Sequence, residues 1–266
     1  MKRKPAVAGT FYPAEVEKLN KLVDLLCGEE PAEKMKAKAI LVPHAGLIYS
    51  GKTACAVYKR VYIPERIVLL GPNHTGMGTD ISVYPGEAWE SPYREVRIDE
   101  ELKEKVLKYP HASPDESAHI YEHSLEVQIP FLFKYAKRPF KILPVILGHL
   151  DYDRARDFGR FLGSLLQGLD ALIVISSDMS HYIPADEARR KDEILISAME
   201  RLQTDELYLK RVQYNITMCG FIPAVAGIEA SKVLGARQGI LIDYTNSGEV
   251  TGDYDRVVAY AGMVFV

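Results

Sequence analysis

The chain alternates between short apolar runs and longer segments in which apolar residues recur at helical spacing. Four of the apolar runs lack the alternation of a half-buried strand: AILVPHAG (39–46), RIVLLGPNHTG (66–76), FKILPVILGH (140–149) and ALIVISSDMSH (171–181). Such runs are typical of strands that are buried on both faces, as in a parallel sheet covered by helices. Further strands are predicted at 239–248 and 256–266, for which an antiparallel arrangement is one interpretation.

Segments with helical spacing lie between these strands. Residues 15–28 form the first, and a glycine ends it. Further helices are predicted at 53–61, 100–109, 124–136, 152–168, 185–202 and 219–235. The alternation of strand and helix predicts an α/β fold with a central, mostly parallel (mixed) sheet and helices on both faces. Since no repeat or linker interrupts the pattern, we expect a single domain over residues 1–266.

Polar residues follow several of the predicted strands directly. His44 and His74 end the first two runs, and Asp178 and His181 end the run at 171–181. Ligands of parallel α/β sheets bind beyond the carboxyl ends of the strands. If these strands are adjacent and parallel, the four side chains converge on one crevice.

Composition and charge narrow the function classes. The 47% hydrophobic and 26% charged residues are ordinary for a globular protein, and the net charge of −3 argues against a nucleic-acid partner. No apolar run is long enough to span a membrane. The three cysteines do not form a disulfide framework, so we expect a reducing, cytoplasmic location.

The motifs PHAG and GPNH each place a histidine in a turn beside proline and glycine. Neutral imidazole is the commonest metal ligand in proteins. Either His44 or His74 alone is better explained by a hydrogen bond to a loop carbonyl. The presence of both at equivalent strand ends favours a shared site.

Two further motifs pair an acid with a histidine. In SSDMSH, Asp178 can orient His181 or a neighbouring ligand, and His181 can act as a general base. The alternative is that Ser177 and Asp178 cap a helix. In EHSLE, a helix cap explains the serine but not the preceding Glu122 and His123, which we expect to line the pocket.

Cysteine and the remaining histidines give weaker signals. Cys219 precedes a glycine at a predicted helix start, so it is either a thiolate ligand or nucleophile or a buried, inert thiol. The residues alone favour the inert thiol. Cys27 and Cys55 lie on apolar helix faces and are expected to be inert as well. We expect the other histidines on the surface or in loops: His111, His119 and His149.

The ordered set AGTFYP, PHAGLIYSG, LLGPNHTG, EHSLEVQIPFL, SSDMSHY and CGFIP resembles the Memo (mediator of cell motility) family. Its microbial members are also known as component B of the AMMECR–Memo–radical SAM group. The resemblance covers residues from about 5 to 264 and implies a fold similar to the class III extradiol dioxygenases. It also implies that Cys219 joins His44 and His74 as a metal ligand. Some relatives carry two consecutive histidines where this chain has His74 and Thr75.

The resemblance implies a metal-dependent oxidoreductase. Iron(II) is the expected metal. Copper and zinc are alternatives, because a thiolate, which replaces the carboxylate of the dioxygenases, is a softer ligand. In this hypothesis His181 is the acid or base, Asp178 orients a ligand or His181, and His123 and Glu122 meet the substrate.

Two other functions compete with this one. The first is a protein that binds a metal or a (phospho)peptide in the same pocket without catalysis, and the second is a metal-free hydrolase with Cys219 as nucleophile and His181 as base. The expected partner is a small molecule or a peptide, and a homo-oligomer remains an open alternative.

Overall fold

A single mixed β-sheet forms the centre of the protein, whose computed structural model describes residues 1–29, 31 and 33–266. The strands of this described part are β1 (Lys2–Arg3), β2 (Ala39–Val42), β3 (Arg66–Pro72), β4 (Ile81–Val83), β5 (Ala88–Trp89), β6 (Val96–Ile98), β7 (Ala112–Pro114), β8 (Lys141–Leu147), β9 (Ala171–Ser176), β10 (His181–Ile183), β11 (Gly239–Asn246) and β12 (Val257–Phe265). The main path runs β1-β5-β6-β8-β3-β9-β2-β12-β10. Strand β11 pairs with β12, and β4 pairs with β8 and β7.

The middle of the sheet is parallel from β6 through β8, β3 and β9 to β2. Strands β12, β11 and β10 extend it in the antiparallel sense. This arrangement confirms the α/β class with a mixed sheet, and it confirms the antiparallel interpretation of the last two predicted strands. It also makes β3, β9 and β2 immediate neighbours, so their carboxyl ends meet at one edge.

Helices cover both faces of the sheet. They are α1 (Val16–Cys27), α2 (Leu47–Tyr58), α3 (Glu100–Val106), α4 (Ser117–Ile120), α5 (Ile129–Tyr135), α6 (Tyr152–Leu166), α7 (Ala185–Glu200), α8 (Thr204–Gln213), α9 (Phe221–Val233) and α10 (Gly248–Thr251), with a 3₁₀ turn at Glu126–Gln128. Along β2, Leu41 belongs to the core cluster that contains residues of α6, α7 and α9, whereas Ile40 belongs to the cluster that contains residues of α1, α2 and α5. Successive strand residues point to opposite faces, which is why every residue of this run is apolar.

Some helices and strands were not predicted from the sequence, or were predicted with other bounds. Helix α2 begins at Leu47, directly after the PHAG motif, six residues before the predicted start at 53. Helix α8 was not predicted, because its exposed, charged sequence buries only Thr204 and Leu207. Strands such as β1 and β5 are too short for periodicity to identify them. Among the described residues, no helix is both long and apolar enough to cross a bilayer.

Cys27 and Cys55 form a disulfide that joins the end of α1 to the last turn of α2. The expectation that both would be separate, inert thiols is therefore wrong. Both residues are buried, as expected for apolar helix faces, but their helices pack closely enough to place the two sulfurs together. Because two of the three cysteines form a disulfide, cysteine usage no longer indicates a reducing compartment. The cytoplasmic location stays a prediction.

We expect the Cys27→Ala/Cys55→Ala double variant to unfold more easily than the oxidised protein. The disulfide closes a loop with a sequence separation of 28 residues, which restricts the unfolded chain. A loss of roughly 2–4 kcal/mol in the free energy of unfolding is expected. Denaturant titration measures it, with Cys219→Ala as the control that leaves the disulfide intact. Thiol titration of the denatured, unreduced protein gives one free thiol, whereas three would contradict the disulfide.

His119 is buried, although the sequence placed it among surface or loop residues. It lies in α4 with 1% exposure, against Tyr84 and Trp89, and its Nε2 is 3.2 Å from the carbonyl oxygen of Ser82. Burial lowers the pKa of His119 to about 3, because an apolar surrounding disfavours the charged imidazolium. His111 and His149 are exposed, as predicted.

This burial predicts a stability that decreases in acid. Between the ordinary pKa of 6.5 and the folded value of about 3, the unfolded chain binds a proton at His119 that the folded chain does not. The free energy of unfolding therefore falls as the pH falls through this window, by at most about 1.4 kcal/mol per pH unit from this group. We expect His119→Gln to flatten the difference in unfolding free energy between pH 7 and pH 4. The exposed control His111→Gln should leave that difference unchanged, and an equal effect of both variants would contradict the assignment.

Candidate metal centre

Three histidines meet beyond the carboxyl ends of β2 and β3. His44, His74 and His123 each offer one ring nitrogen, and these nitrogens all lie within 4.8 Å of one another. The ring centroids are 5.0 Å apart for His44 and His74, and 4.7 Å apart for His74 and His123. Three convergent imidazoles are a donor set that suits iron, copper or zinc. The predicted convergence of His44 and His74 is therefore present in the fold.

The tautomer of His44 follows from its neighbours. The Ser176 hydroxyl donates to the carbonyl oxygen of Ser124 at 2.6 Å, so the Ser176 oxygen accepts from Nδ1–H of His44 at 2.9 Å. The same oxygen accepts from Nε2 of Gln128 at 3.0 Å. Because the proton is held on Nδ1, Nε2 keeps its lone pair for a ligand.

The electrostatic surroundings also keep His44 neutral. His44 is only 2% exposed. Burial lowers the pKa of His44 well below its ordinary value, and the positive charges of His74, His123 and His181 lower it further. A neutral imidazole is the form that binds a metal.

His74 is oriented by Glu122. One carboxylate oxygen of Glu122 accepts a hydrogen bond from Nδ1 of His74 at 2.9 Å. The other accepts from the backbone N–H of His74 at 2.7 Å. This is the carboxylate–histidine arrangement that fixes the second ring nitrogen of metal-binding histidines. Burial opposes the charged forms of both groups, but their hydrogen bond and mutual attraction raise the pKa of His74 and lower the pKa of Glu122 to about 2.

His123 completes the cluster from the loop after α4. Its ring stacks on His74 at an interplanar angle of 20° and packs against Phe11, with ring centroids 4.7 Å apart. Burial lowers the pKa of His123. The sequence assigned this residue and Glu122 to the substrate. In the fold His123 lies beside the other two imidazoles, and Glu122 holds His74.

Cys219 lies next to His44. Its sulfur is 3.2 Å from Nε2 of His44 and accepts the backbone N–H of Asp178 at 3.3 Å. Burial raises the pKa of this thiol well above its usual range. The set of three donors with mutual distances under 4.8 Å contains His123 instead of Cys219. The assignment of Cys219 as the third ligand stays a prediction.

The glycine after Cys219 is a steric requirement. A Cβ atom at Gly220 would lie 2.4 Å from the carbonyl oxygen of Ser176 and 2.6 Å from Cβ of Ser177. The Gly220 N–H donates to the Ser177 hydroxyl at 2.9 Å, so the loop that carries Cys219 is held against the end of β9. Only a residue without a side chain allows this approach, which explains the Cys–Gly pair in the sequence.

Asp178 and His181 have separate partners. The Asp178 carboxylate accepts the backbone N–H of His44 at 2.7 Å, and burial raises its pKa to about 6. Nδ1 of His181 lies 2.9 Å from the carbonyl oxygen of Thr217. Asp178 thus holds the backbone of His44, whereas the ring nitrogen that it was expected to orient is held by Ser176, and its assigned role stays a prediction. It caps no helix, because residues 177–180 lead into β10.

Several residues that support the cluster carried no recognisable sequence signal. Ser176 and Gln128 set the tautomer of His44, and Phe11 packs against His123. Ser176 ends a predicted strand, so its position was visible, but its partner was not. Ser176 and Phe11 each lie more than a hundred residues from the histidine that they contact, and only the folded chain brings these segments together.

Comparison with known proteins gives a consistent result. Residues 3–264 match the protein family described as Memo-like protein. A MEMO1 family protein of Aquifex aeolicus is 71% identical over 264 residues, with 99% of each chain covered. A MEMO1 family protein of Methanosarcina acetivorans is 41% identical over 265 residues, with 98% of each covered. The fold is similar to that of an uncharacterized protein of Escherichia coli K12, with a TM-score of 0.60, 14% identity and coverage of 86% of this chain and 100% of the other.

Proposed function

Because the chain belongs to the Memo-like protein family, we propose that it binds a metal ion through His44 and His74 and works as a metal-dependent oxidoreductase. The observation that carries the proposal is the cluster of three imidazole nitrogens within 4.8 Å, two of them oriented by Ser176 and Glu122. Buried histidines with their second nitrogen fixed in this way are the usual construction of metal sites. The third ligand is His123 or Cys219.

The donor set fits iron(II), with copper and zinc as the alternatives. Imidazole suits all three metals, and a thiolate from Cys219 would favour the softer ones. A bound metal would lower the pKa of this thiol and supply redox or Lewis-acid chemistry. The chain itself holds the ligands: Ser176 and Glu122 keep both Nδ1 protons in place, and Asp178 holds the backbone of His44.

His181 is the remaining candidate for proton transfer. Its Nδ1–H donates to the Thr217 carbonyl at 2.9 Å, which leaves Nε2 as the acceptor. It does not belong to the cluster of three imidazoles, and it begins β10, directly after the segment that carries Asp178. This arrangement supports the role of acid or base toward a substrate at the metal.

Metal analysis of anaerobically prepared protein tests the proposal. We expect about one iron per chain after reconstitution. Cys219→Ala and His123→Ala are then compared. The variant that lacks the third ligand should lose most of its metal, and the other should retain it. Oxygen uptake with catechols and other small substrates tests the oxidoreductase activity. Failure to retain iron, copper or zinc would refute the metal site. Retained metal without turnover on a broad panel would favour the second function from the sequence, a non-catalytic protein that binds a metal or (phospho)peptide.

The metal-free hydrolase has less support. Burial raises the pKa of Cys219, which disfavours a thiolate nucleophile. The histidine in contact with its sulfur is His44, at 3.2 Å, and His181 is bound to Thr217. Equal alkylation of Cys219 with and without added metal would revive this function.

A further inference from the structure

A cavity lies at the opposite edge of the sheet from the histidine cluster. It has a volume of about 480 Å³ and is formed where β3, β6 and β8 begin. This volume is in the range of small-molecule sites. Its lining contains the cations Arg66, Arg94, Arg97 and Lys141, and the acids Glu65 and Glu95.

Three of these cations form a row across adjacent strands. Arg97 of β6 is in register with Lys141 of β8, and Lys141 is in register with Arg66 of β3. Register partners in parallel strands point to the same face, and neighbouring strands are about 4.8 Å apart. Like charges placed opposite one another destabilise a sheet. Such a local conflict is typical of a functional site.

The acids of the cavity already have other partners. Glu95 pairs with Lys2 at 2.6 Å, and Glu65 lies 3.9 Å from Arg138. Arg66 pairs with Asp99 and Glu101. Within the part of the chain that the structure describes, Arg97 and Lys141 form no ion pair, so these two cations of the row are left to contact a ligand. Both also line an adjoining cavity that contains acidic side chains, so the positive charge is confined to the side of the strands that Phe133 and Phe140 line.

Two aromatic side chains, Phe133 and Phe140, line the cavity beside these cations. The rings of Phe133 and Phe140 lie 5.2 Å apart, and the Arg94 guanidinium lies 5.0 Å above Phe133. Both phenylalanines are half-buried, so part of each side chain is exposed at the cavity. Such surfaces accept planar rings, and guanidinium groups suit phosphate oxygens.

We propose that this cavity binds a phosphate-bearing heteroaromatic small molecule, of the size and charge of a nucleoside monophosphate. Arg97 and Lys141 contact the phosphate, and Phe133, Phe140 and Arg94 contact the ring. The site is separate from the histidine cluster, because it lies at the amino ends of the strands.

Calorimetry with adenosine monophosphate tests the site, in the presence of a chelator so that a metal cannot bind the phosphate. We expect saturable binding of one molecule per chain. In the Arg97→Gln/Lys141→Gln variant, binding should weaken roughly a hundredfold, because two charge-assisted contacts are lost. The matched control Lys52→Gln/Arg237→Gln removes the same charge from exposed positions outside the cavity and should bind like the unaltered protein.

Two further ligands test the phosphate contacts and the ring contacts separately. Adenosine tests the phosphate contacts and inorganic phosphate tests the ring contacts, and each should bind more weakly than the nucleotide. His44→Ala should bind the nucleotide normally. Absence of nucleotide binding at millimolar concentration, equal loss in the control variant, or loss in His44→Ala would each overturn the proposal.

Discussion

Replacing His44 by alanine is expected to weaken metal binding roughly a hundredfold or more, beyond the loss that follows from changing an outer partner of a ligand. His44 is the most buried imidazole of the cluster, and three neighbours prepare it for binding. Ser176 fixes its tautomer, Asp178 holds its backbone, and burial keeps it neutral. Direct titration of the apoprotein with iron(II) or zinc(II) measures the effect.

The control for this experiment is His149→Ala. His149 is exposed and lies outside the cluster, so its loss should leave the affinity unchanged. Circular dichroism and thermal unfolding of His44→Ala establish that the fold is retained. Normal metal affinity in folded His44→Ala would remove the basis of the proposed function.

Replacing Arg3 by methionine is expected to lower the free energy of unfolding by about 3–5 kcal/mol. Arg3 is 3% exposed and pairs with buried Glu126 at 2.7 Å. It also donates to the carbonyl oxygens of His119 and Glu122. Its loss leaves a buried carboxylate without its counter-ion and two buried carbonyls without a donor. Chemical denaturation of the variant measures the loss.

The neighbouring residue provides a matched control. Lys2 lies in the same strand but forms an exposed ion pair with Glu95, so Lys2→Met should change stability by about 1 kcal/mol or less. Adding Glu126→Gln to Arg3→Met removes the unpaired charge. We expect this double variant to lose less than the sum of the two single changes. Strict additivity would contradict the coupling.

The Arg3–Glu126 pair also links stability to the metal centre. Glu126 accepts the backbone N–H of Ala6 and Val7 and the hydroxyl of Tyr12, so it anchors the segment that carries Phe11. Phe11 packs against His123, three residues before Glu126. A loss of this pair therefore disturbs one wall of the cluster as well as the fold.

The strands at the centre of the sheet could be predicted from the sequence because burial on both faces demands continuous apolar runs. The predicted strands at 66–76 and 171–181 agree with β3 and β9, and polar residues at their ends lie at the expected edge. Short strands such as β6 have no period long enough to detect. The exposed helix α8 has little apolar pattern, since it buries so few residues.

The candidate site divides in the same way. His44 and His74 follow strand ends, so the sequence predicted their convergence on the condition that the strands are parallel neighbours, and the order β3-β9-β2 meets this condition through β9. His123 was expected to line the same pocket as a substrate contact, but its place as a third imidazole of the cluster was not predictable, because a loop residue carries no periodic signal. The disulfide between Cys27 and Cys55 was also hidden, since helix packing decides which cysteines meet.

By itself, the sequence determined the fold class, the apolar central strands and the position of two histidines at strand ends, because these depend on local apolar pattern. The tertiary structure alone decided the third imidazole, the buried state of His119 and the hydrogen bonds of Ser176 and Glu122 that set the protons of His44 and His74. These features depend on contacts between distant segments. No local pattern encodes such contacts, because each exists only after the sheet and its covering helices have packed together.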